Sequence, residues 1–338
     1  MVKHMRILGI ESSCDDAAAA AIETDRPGIV TVRASAVANQ DDIHRAYGGI
    51  VPELASRNHV ITIQPVVERA LDAAGWRLQD VEGIAVTRGP GLVGSLLVGL
   101  MYAKALAHAT GIPMVGVNHI EGHLLAPLLE YEIAMPYLAL VVSGGHTALF
   151  VVEDFGRYRR LGSTRDDAAG EAFDKVAKLM GLGYPGGKII DELSREGNQK
   201  RVKIPRARVK GAPLDFSFSG VKTAVATMLR TEEGAALPHA DLAASFQEAV
   251  VEMLVRPTMV AAREVDANTI ALTGGVAANS RLRTRLAEAA EADGRRLVAP
   301  SFKYCTDNAA MIAAAGSYRL LRGERDPLSI DAEANLAL

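Results

Sequence analysis

The chain has 338 residues, 49% of them hydrophobic and 23% charged, with 31 glycines and aromatic side chains at only 5%. That profile supplies an aliphatic core for about two domains and excludes collagen-like, disordered and disulfide-scaffold classes. With 37 Lys and Arg against 40 Asp and Glu the formal charge is −3, which excludes a protein that coats nucleic acid by global charge.

Any RNA contact must therefore come from a local patch. Two cysteines, Cys14 and Cys305, build no framework and fit a reducing compartment. The opening Met-Val-Lys-His-Met-Arg runs straight into a strand-like 7–10 with no leader-type apolar segment, and Met5 is a second candidate start. The longest apolar stretch, 92–103, contains Gly and Ser and is too short to span a bilayer, so it reads as a buried helix. These features predict a cytoplasmic, two-lobed protein without a membrane partner.

In chain order, strand-like runs alternate with Ala-rich helical runs, which reads as α/β. Residues 6–10 form an apolar, β-branched run that breaks at Glu11-Ser-Ser-Cys-Asp-Asp16 and resumes at 17–22. A strand over 83–87 meets Arg88-Gly-Pro-Gly-Leu-Val-Gly94 before a helix expected over 95–109. The pattern then recurs. A strand over 137–142 breaks at Ser143-Gly-Gly-His146 and resumes at 147–152, and a strand over 269–273 meets Gly274-Gly-Val-Ala-Ala-Asn279 before a helix over 280–292. The second half is longer by an insertion, expected in an irregular region around 155–220. A duplicated α/β domain is the reading, against chance similarity of two βα units, with lobes 1–125 and 126–338. Lobes of this kind leave a cleft with a glycine turn at its mouth. Backbone N–H groups of such turns favour phosphate or oxyanion groups.

His119-Ile-Glu-Gly-His123 places two imidazoles at i, i+4 on one helix face, a spacing that suits one metal ion or a pair of core histidines. It is not the H-E-x-x-H of zinc proteases, because Glu121 comes one place too late. Asp307 lies just before an Ala-rich helix, where Thr306 or Asp307 reads first as an N-cap. Asp166, Asp167, Gly170, Glu171 and Asp174 open a helix running to about Met180. Asp167, Glu171 and Asp174 then share an acidic stripe. It is either a solvated face helped by an Asp174–Lys178 pair or an acceptor for ribose hydroxyls. The run KRVKIPRARVK carries Lys200, Arg201, Lys203, Arg206, Arg208 and Lys210 with no acid and no aromatic. It reads as a solvated loop or as the one contact for a phosphate backbone, without base stacking.

Taken together, IESSCDD, YGGIVPELASRNH, GPGLVGSLLVG, NHIEGHLLAPLL, LVVSGGHTALF, DDAAGEAFDKVAKLMGLGYPGG, DFSFSGVKTAV, TGGVAANSRLR and CTDNAAM resemble the bacterial TsaD (YgjD/Gcp) family over roughly residues 6–320. The resemblance implies a duplicated ASKHA (actin/Hsp70/sugar-kinase-like) fold. It implies transfer of a threonylcarbamoyl group from threonylcarbamoyl-adenylate to the exocyclic amine of the adenosine 3′ to the anticodon, in tRNAs reading ANN codons. Family metal ligands fall on His119, His123 and Asp307, displacing the N-cap reading of Asp307. One divalent metal per subunit is implied, iron(II) with zinc as the alternative. Substrate contacts fall on Val141, Val142, Ser143, Gly144 and Gly145, and adenylate contacts on Asp174, Gly187, Asp191 and Asn279. Asp16 stands where many members have Glu, and Asn118 where a His often precedes the HxxxH motif.

The implied donor is a mixed carbamic–phosphoric anhydride, already activated, so this step hydrolyses no ATP. The metal and the N–H groups of Ser143–Gly145 are expected to meet the charge that develops on the carbonyl. Asp15 is a candidate acceptor of the amine proton, and the leaving phosphate is the alternative. The family also implies a TsaB-like paralogue and a TsaE-like ATPase as partners. Helical stretches around 60–74 and 96–107 are candidate partner surfaces, or simply pack on their own sheet. Two other readings stay open at this point. HIEGH suggests a metalloprotease, the historical glycoprotease label, and the duplication alone allows an ASKHA-type small-molecule kinase or a nucleotide-binding scaffold.

Overall fold

The alanine run 17–21 sets how closely the first unit packs. In the computed structural model, which describes residues 4–338, these alanines lie in β2 (Ala17–Arg26) and are all fully buried. Successive strand side chains face opposite sides. Ala17, Ala19 and Ala21 join a core with Ile63, Val66 and Val67, while Ala18 and Ala20 meet Tyr304, Ala309 and Ala310.

The first unit takes the described residues up to Ile43, then Ile50–Glu132 and Pro300–Leu338. Its sheet runs β3 (Ile29–Ala38), β2, β1 (Met5–Glu11), β4 (Gly83–Gly89), β5 (Met114–Asn118). β1 is antiparallel to β2 and parallel to β4, with Ile10 opposite Ala19 and Val86. After the short α1 (Asp41–Arg45), helices α2 (Pro52–Ala74) and α3 (Val93–Thr110) bring Val66, Val67, Leu100 and Ala103 onto Leu8 and Ile10. The other face carries α12 (Ala309–Leu321), preceded by α11 (Phe302–Cys305). α12 comes very close: a Cβ on Gly9 would lie 2.2 Å from the Ala309 carbonyl oxygen, and one on Gly316 2.6 Å from the Ala85 Cβ. α4 (His119–Leu125) follows β5 directly.

The second unit takes His44–Gly49 and Ile133–Ala299. Its sheet runs β8 (Arg157–Ser163), β7 (Thr147–Asp154), β6 (Tyr137–Val142), β9 (Thr269–Thr273), β10 (Arg296–Val298). The strand order and the succession of antiparallel and parallel pairings repeat those of the first sheet. The duplication expected from the sequence is present. Its helices are α5 (Ala169–Leu179), α6 (Gly186–Ser194), α7 (Ser219–Met228), α8 (Glu232–Ala235), α9 (His239–Glu264) and α10 (Ser280–Ala292). Phe173 of α5 meets Phe246 of α9 edge to face, centroids 5.3 Å apart.

Three expectations need correction. The division 1–125 and 126–338 omits the return of Pro300–Leu338 to the first unit. That return places the small side chains of the Ala-rich α12 against Gly9, Ala18, Ala20 and Ala85 of β1, β2 and β4. The region 155–220 is not irregular throughout, since it holds β8, α5 and α6; the longest stretch without helix or strand is the one after α6 up to α7. The apolar stretch 92–103 lies in a longer helix, α3, of 18 residues and mean hydropathy 1.2, which by length and composition alone could cross a membrane. Its Leu96, Gly99, Leu100, Ala103 and Ala107 are nonetheless buried within the first unit.

Candidate functional site

β5 stops where Asn118 turns the chain. The Asn118 Oδ1 accepts hydrogen bonds from the backbone N–H of Ile120 (2.8 Å) and Glu121 (3.4 Å), which caps α4 and starts it at His119. One turn separates His119 from His123, so both rings share a face, with centroids 4.7 Å apart and planes at 85°. The start of α12 completes the cluster. Its N-cap is Asn308, which accepts from Met311 N at 2.9 Å, so neither Thr306 nor Asp307 has that task. Asp307 instead sets its Oδ1 3.5 Å from His119 Nε2 and 3.2 Å from His123 Nε2. One donor atom from each of the three residues lies within 4.8 Å of the others.

The cluster has the chemistry of a metal site. Two imidazoles and one carboxylate are a common donor set for first-row divalent ions. His123 is fully buried, and its Nδ1 has no hydrogen-bond partner. Burial holds the His123 imidazole below its ordinary pKa, against the pull of Asp307, which favours the neutral ring a metal requires. These residues fit a divalent ion.

Sequence reasoning missed Glu11, which closes β1 and has no exposure at all. Its Oε2 lies 3.0 Å from His119 Nδ1 and accepts from Thr87 Oγ1 at 2.7 Å, while Oε1 accepts from the Ser13 backbone N–H. Burial pushes its pKa up, but the charge and hydrogen bond of His119, with Thr87, outweigh that and hold it low. Burial likewise opposes the His119 cation, yet Glu11 and Asp307 raise that imidazole to about 9. The available signal was a lone carboxylate directly after the apolar run 7–10.

The turn 12–16 carries two further acids, Asp15 and Asp16. Burial, then the charges of Asp15, Asp307 and Asp41, push Asp16 up to about 8 against a hydrogen bond from Asn39. Asp15 is half-buried in the same turn. Glu121, whose place in HIEGH already weighs against a protease, is buried and accepts from the Tyr318 hydroxyl at 3.1 Å. It is committed to the α4–α12 contact.

The second unit holds the other expected residues. Val141 and Val142 end β6 with fully buried side chains, and Ser143–Gly145 form the turn into β7. The Ser143 N–H donates to His146 O (2.7 Å), and the His146 N–H donates to Ser143 Oγ (3.1 Å). A Cβ on Gly144 or Gly145 would meet nothing within 4 Å, whereas one on Gly170, at the start of α5, would lie 2.7 Å from Ser143 O. Gly274, at φ 95°, approaches Val142 so closely that a Cβ would sit 2.3 Å from its carbonyl oxygen. The two glycine turns and the first turn of α5 therefore converge on the end of β6.

Asp174, Gly187, Asp191 and Asn279 form a linked series. Asp174 Oδ1 accepts from Gly186 N (2.8 Å), which ties α5 to the start of α6 and replaces the expected Asp174–Lys178 pair. Asp191 Oδ1 accepts from Ser280 N (3.1 Å) and Oγ (2.8 Å) at the start of α10. Asn279 caps α10 through Leu282 N (2.9 Å) and donates to Gln247 Oε1 (2.7 Å). A cavity of about 230 Å³ is lined by Ser194, Arg195, Gln247, Ser280, Arg281 and Thr284, of which Ser280 and Gln247 hydrogen-bond Asp191 and Asn279. The expected acidic stripe is otherwise consumed internally. Asp166 accepts from the Phe218 and Ser219 N–H groups, outside the helix, and Asp167 binds Lys175 (2.9 Å) and Lys222 (2.7 Å).

The basic run crosses the surface of this unit without helix or strand, anchored by Ile204, which is 1% exposed. All six basic side chains are exposed; Arg206 pairs with Glu252 of α9, and Lys200, Arg201, Lys203, Arg208 and Lys210 make no ion pair among the described residues.

Comparison with known proteins gives these sites a context. The family profile described as TsaD, tRNA N6-adenosine threonylcarbamoyltransferase, matches residues 31–314. A protein of that description from Anaeromyxobacter dehalogenans (strain 2CP-C) is 55% identical over 333 residues, covering 97% of this chain and 98% of its own. One from Clostridium botulinum (strain 657 / Type Ba4) is 50% identical over 341 residues, covering 100% and 99%. Among solved structures, the activator of the 2-hydroxyisocaproyl-CoA dehydratase from Clostridium difficile, determined with bound ADPNP, superposes with TM-score 0.53 at 14% identity, covering 94% of this chain and 96% of its own. That likeness is one of fold, and it matches the two-sheet ASKHA arrangement. Identity of 50–55% along the whole chain goes further: the chain belongs to the TsaD family, and it is a tRNA N6-adenosine threonylcarbamoyltransferase.

Proposed function

We propose that the chain takes its acyl group from threonylcarbamoyl-adenylate and delivers it to the adenosine 3′ to the anticodon in tRNAs reading ANN codons. The N6 nitrogen bonds to the carbamoyl carbon, the bond from that carbon to the phosphate oxygen breaks, and AMP leaves. The observation that carries this donor is the glycine-built cradle at the end of β6. Gly144 and Gly145 have open space where a side chain would be, and Gly170 and Gly274 bring backbone to within contact of Ser143 and Val142. Such a cradle offers N–H groups to phosphate and carbonyl oxygens at no cost of reorganisation. The main chain of Val141 and Val142 and the turn Ser143–Gly145 would hold the reacting end. Asp174, Gly187, Asp191 and Asn279 would hold the nucleoside.

His119, His123 and Asp307 would hold one divalent ion, iron(II) with zinc as the alternative; a two-histidine, one-carboxylate set suits iron(II). Bound there, it would supply a Lewis acid for the carbonyl. Asp15 is the candidate acceptor for the amine proton, with the leaving phosphate as the other. The exposed Lys200, Arg201, Lys203, Arg206, Arg208 and Lys210 would meet the tRNA backbone.

A TsaB-like paralogue and a TsaE-like ATPase are the proposed partners, and the compartment is the cytoplasm. Support for a helical partner comes from α2 and α3. Val60 and Ile61 are 66% and 72% exposed, and Val93, Leu97 and Met101 recur at i, i+4, i+8 with at least 38% exposure each. The test incubates the protein and both partners with labelled threonylcarbamoyl-adenylate and unmodified tRNA. Label in tRNA with one AMP released per transfer is expected. Adenylate left intact, or label absent from tRNA while AMP forms, overturns the proposal.

A further inference from the structure

A carboxylate with no solvent exposure survives only where donors surround it. Three converge on Glu11: the Ser13 N–H on Oε1, and Thr87 Oγ1 at 2.7 Å and His119 Nδ1 at 3.0 Å on Oε2. They come from the turn after β1, from β4 and from α4. The carboxylate is thus fixed by the sheet itself on one side and faces the His119 ring on the other. His123 has no equivalent, since its Nδ1 lacks a hydrogen-bond partner.

We infer that Glu11 is a positioning residue of the metal centre, accepting the Nδ1–H of His119 so that the neutral ring presents its Nε2 lone pair toward Asp307 and His123. The inference rests on reading His119, His123 and Asp307 as metal ligands. A ring that donates Nδ1–H to a fixed acceptor has its tautomer and its rotation settled together, and the acceptor makes Nε2 a better ligand. Ser13 Oγ, 3.1 Å from the same Nδ1, narrows the ring's freedom further. Glu11 also supplies, with Asp307, two negative charges against a divalent ion.

An amide cannot replace this carboxylate. If the Gln oxygen faced His119 and Thr87, its NH2 would oppose the Ser13 N–H. If it were turned over, the NH2 would donate to His119 Nδ1 and force the proton onto Nε2, the atom needed for the metal. Either arrangement leaves a buried donor unpaired.

The test uses the full-length protein with zinc as the probe, measuring affinity by competition with a chromophoric chelator and the ring nitrogens by 15N–1H NMR. The parent chain should bind one zinc with His119 protonated on Nδ1. Glu11→Gln should bind roughly 10–100-fold more weakly, with altered His119 nitrogen signals and unaltered His123 signals. Parental affinity with unchanged His119 signals would overturn the inference and leave the ligand reading standing. A parent chain that binds no stoichiometric zinc would remove the ligand reading and the inference with it. Glu11→Asp keeps the charge but falls one methylene short of Nδ1, so it separates positioning from charge balance and decides the matter should Glu11→Gln not fold. A loss similar to that of Gln is expected, and full affinity would overturn the inference.

Discussion

The Nδ2 of Asn118 donates to the Leu336 carbonyl at 3.2 Å, so the C-terminal segment grips the residue that caps the helix carrying His119 and His123. The same segment takes the Gly91 N–H on Ala334 O (3.1 Å) and gives the Glu333 N–H to Arg88 O (2.9 Å). Gly91 in turn approaches Ser13 so closely that a Cβ would lie 2.4 Å from its carbonyl oxygen. A contact far along the chain thereby supports both the cap of α4 and the turn beside Glu11.

Asn118→Ala should cost about 0.5–2 kcal/mol in denaturant unfolding, the range for losing an N-cap. It should also speed amide exchange at Ile120 and Glu121, whose N–H groups the side chain now serves. Asn118→Asp keeps the accepting oxygen and places a negative charge at a helix N-terminus, so most of that stability should return. Equal loss in both variants would assign the stability to the Leu336 contact instead of the cap.

Asp16 gives a pH dependence with a definite sign. Its carboxyl titrates at about 8 in the folded protein against 3.8 ordinarily, so the folded state holds the proton more tightly. The contribution is fully present below pH 3.8, declines as pH rises, and is gone above about 8. Metal-free parent protein should therefore lose stability between those limits relative to Asp16→Asn. Asp16→Asn should flatten that slope and be the more stable of the two at pH 8. Parallel unfolding curves across that range would contradict the raised carboxyl.

Strands β1, β2, β4, β6, β7 and β9 were legible because β-branched and alanine runs end at glycine or acidic turns, and strands 137–142 and 269–273 and helix 280–292 match their observed bounds, whereas β3, β5, β8 and β10 were not read. His119 and His123 were legible because helical spacing alone puts them on one face. Asp307 was legible only through the family resemblance, since by spacing alone an N-cap and a ligand look alike and only the structure shows Asn308 doing the capping. Glu11 was hidden for a different reason: its partners Thr87 and His119 lie 76 and 108 residues away, and only sheet register brings them together. The return of α12 to the first unit was equally invisible, because the complementarity of small residues has no local period.

Gly187 and Asp174 test the proposed nucleoside contacts from opposite directions. A Cβ on Gly187 would have only Phe173 Cβ at 4.0 Å, so Gly187→Ala should leave thermal unfolding unchanged while weakening AMP binding through steric exclusion. Asp174→Ala should weaken AMP binding by about 1.5–3 kcal/mol, the value of hydrogen bonds to a charged group. It should also cost some stability, because Gly186 N loses its acceptor. Calorimetry showing parental AMP affinity in both variants would return Asp174 to a purely structural role.

The basic run makes a claim that salt can decide. Lys203 and Arg208 are exposed and make no ion pair among the described residues, whereas Arg206 is already tied to Glu252 and to the Ile204 carbonyl at 3.1 Å. Reversing Lys203 and Arg208 to Glu should therefore change electrostatics with little structural cost, while reversing Arg206 would set two carboxylates against each other. If these two side chains neutralise phosphates, tRNA affinity should fall and the slope of log affinity against log salt should flatten by roughly 0.7–0.9 per lost contact. Thermal unfolding should stay at the parental value, because neither side chain makes an ion pair among the described residues. A parental salt slope in the double variant would make 200–210 a solvated loop, and the grip on tRNA would then have to come from elsewhere on the chain or from its partners.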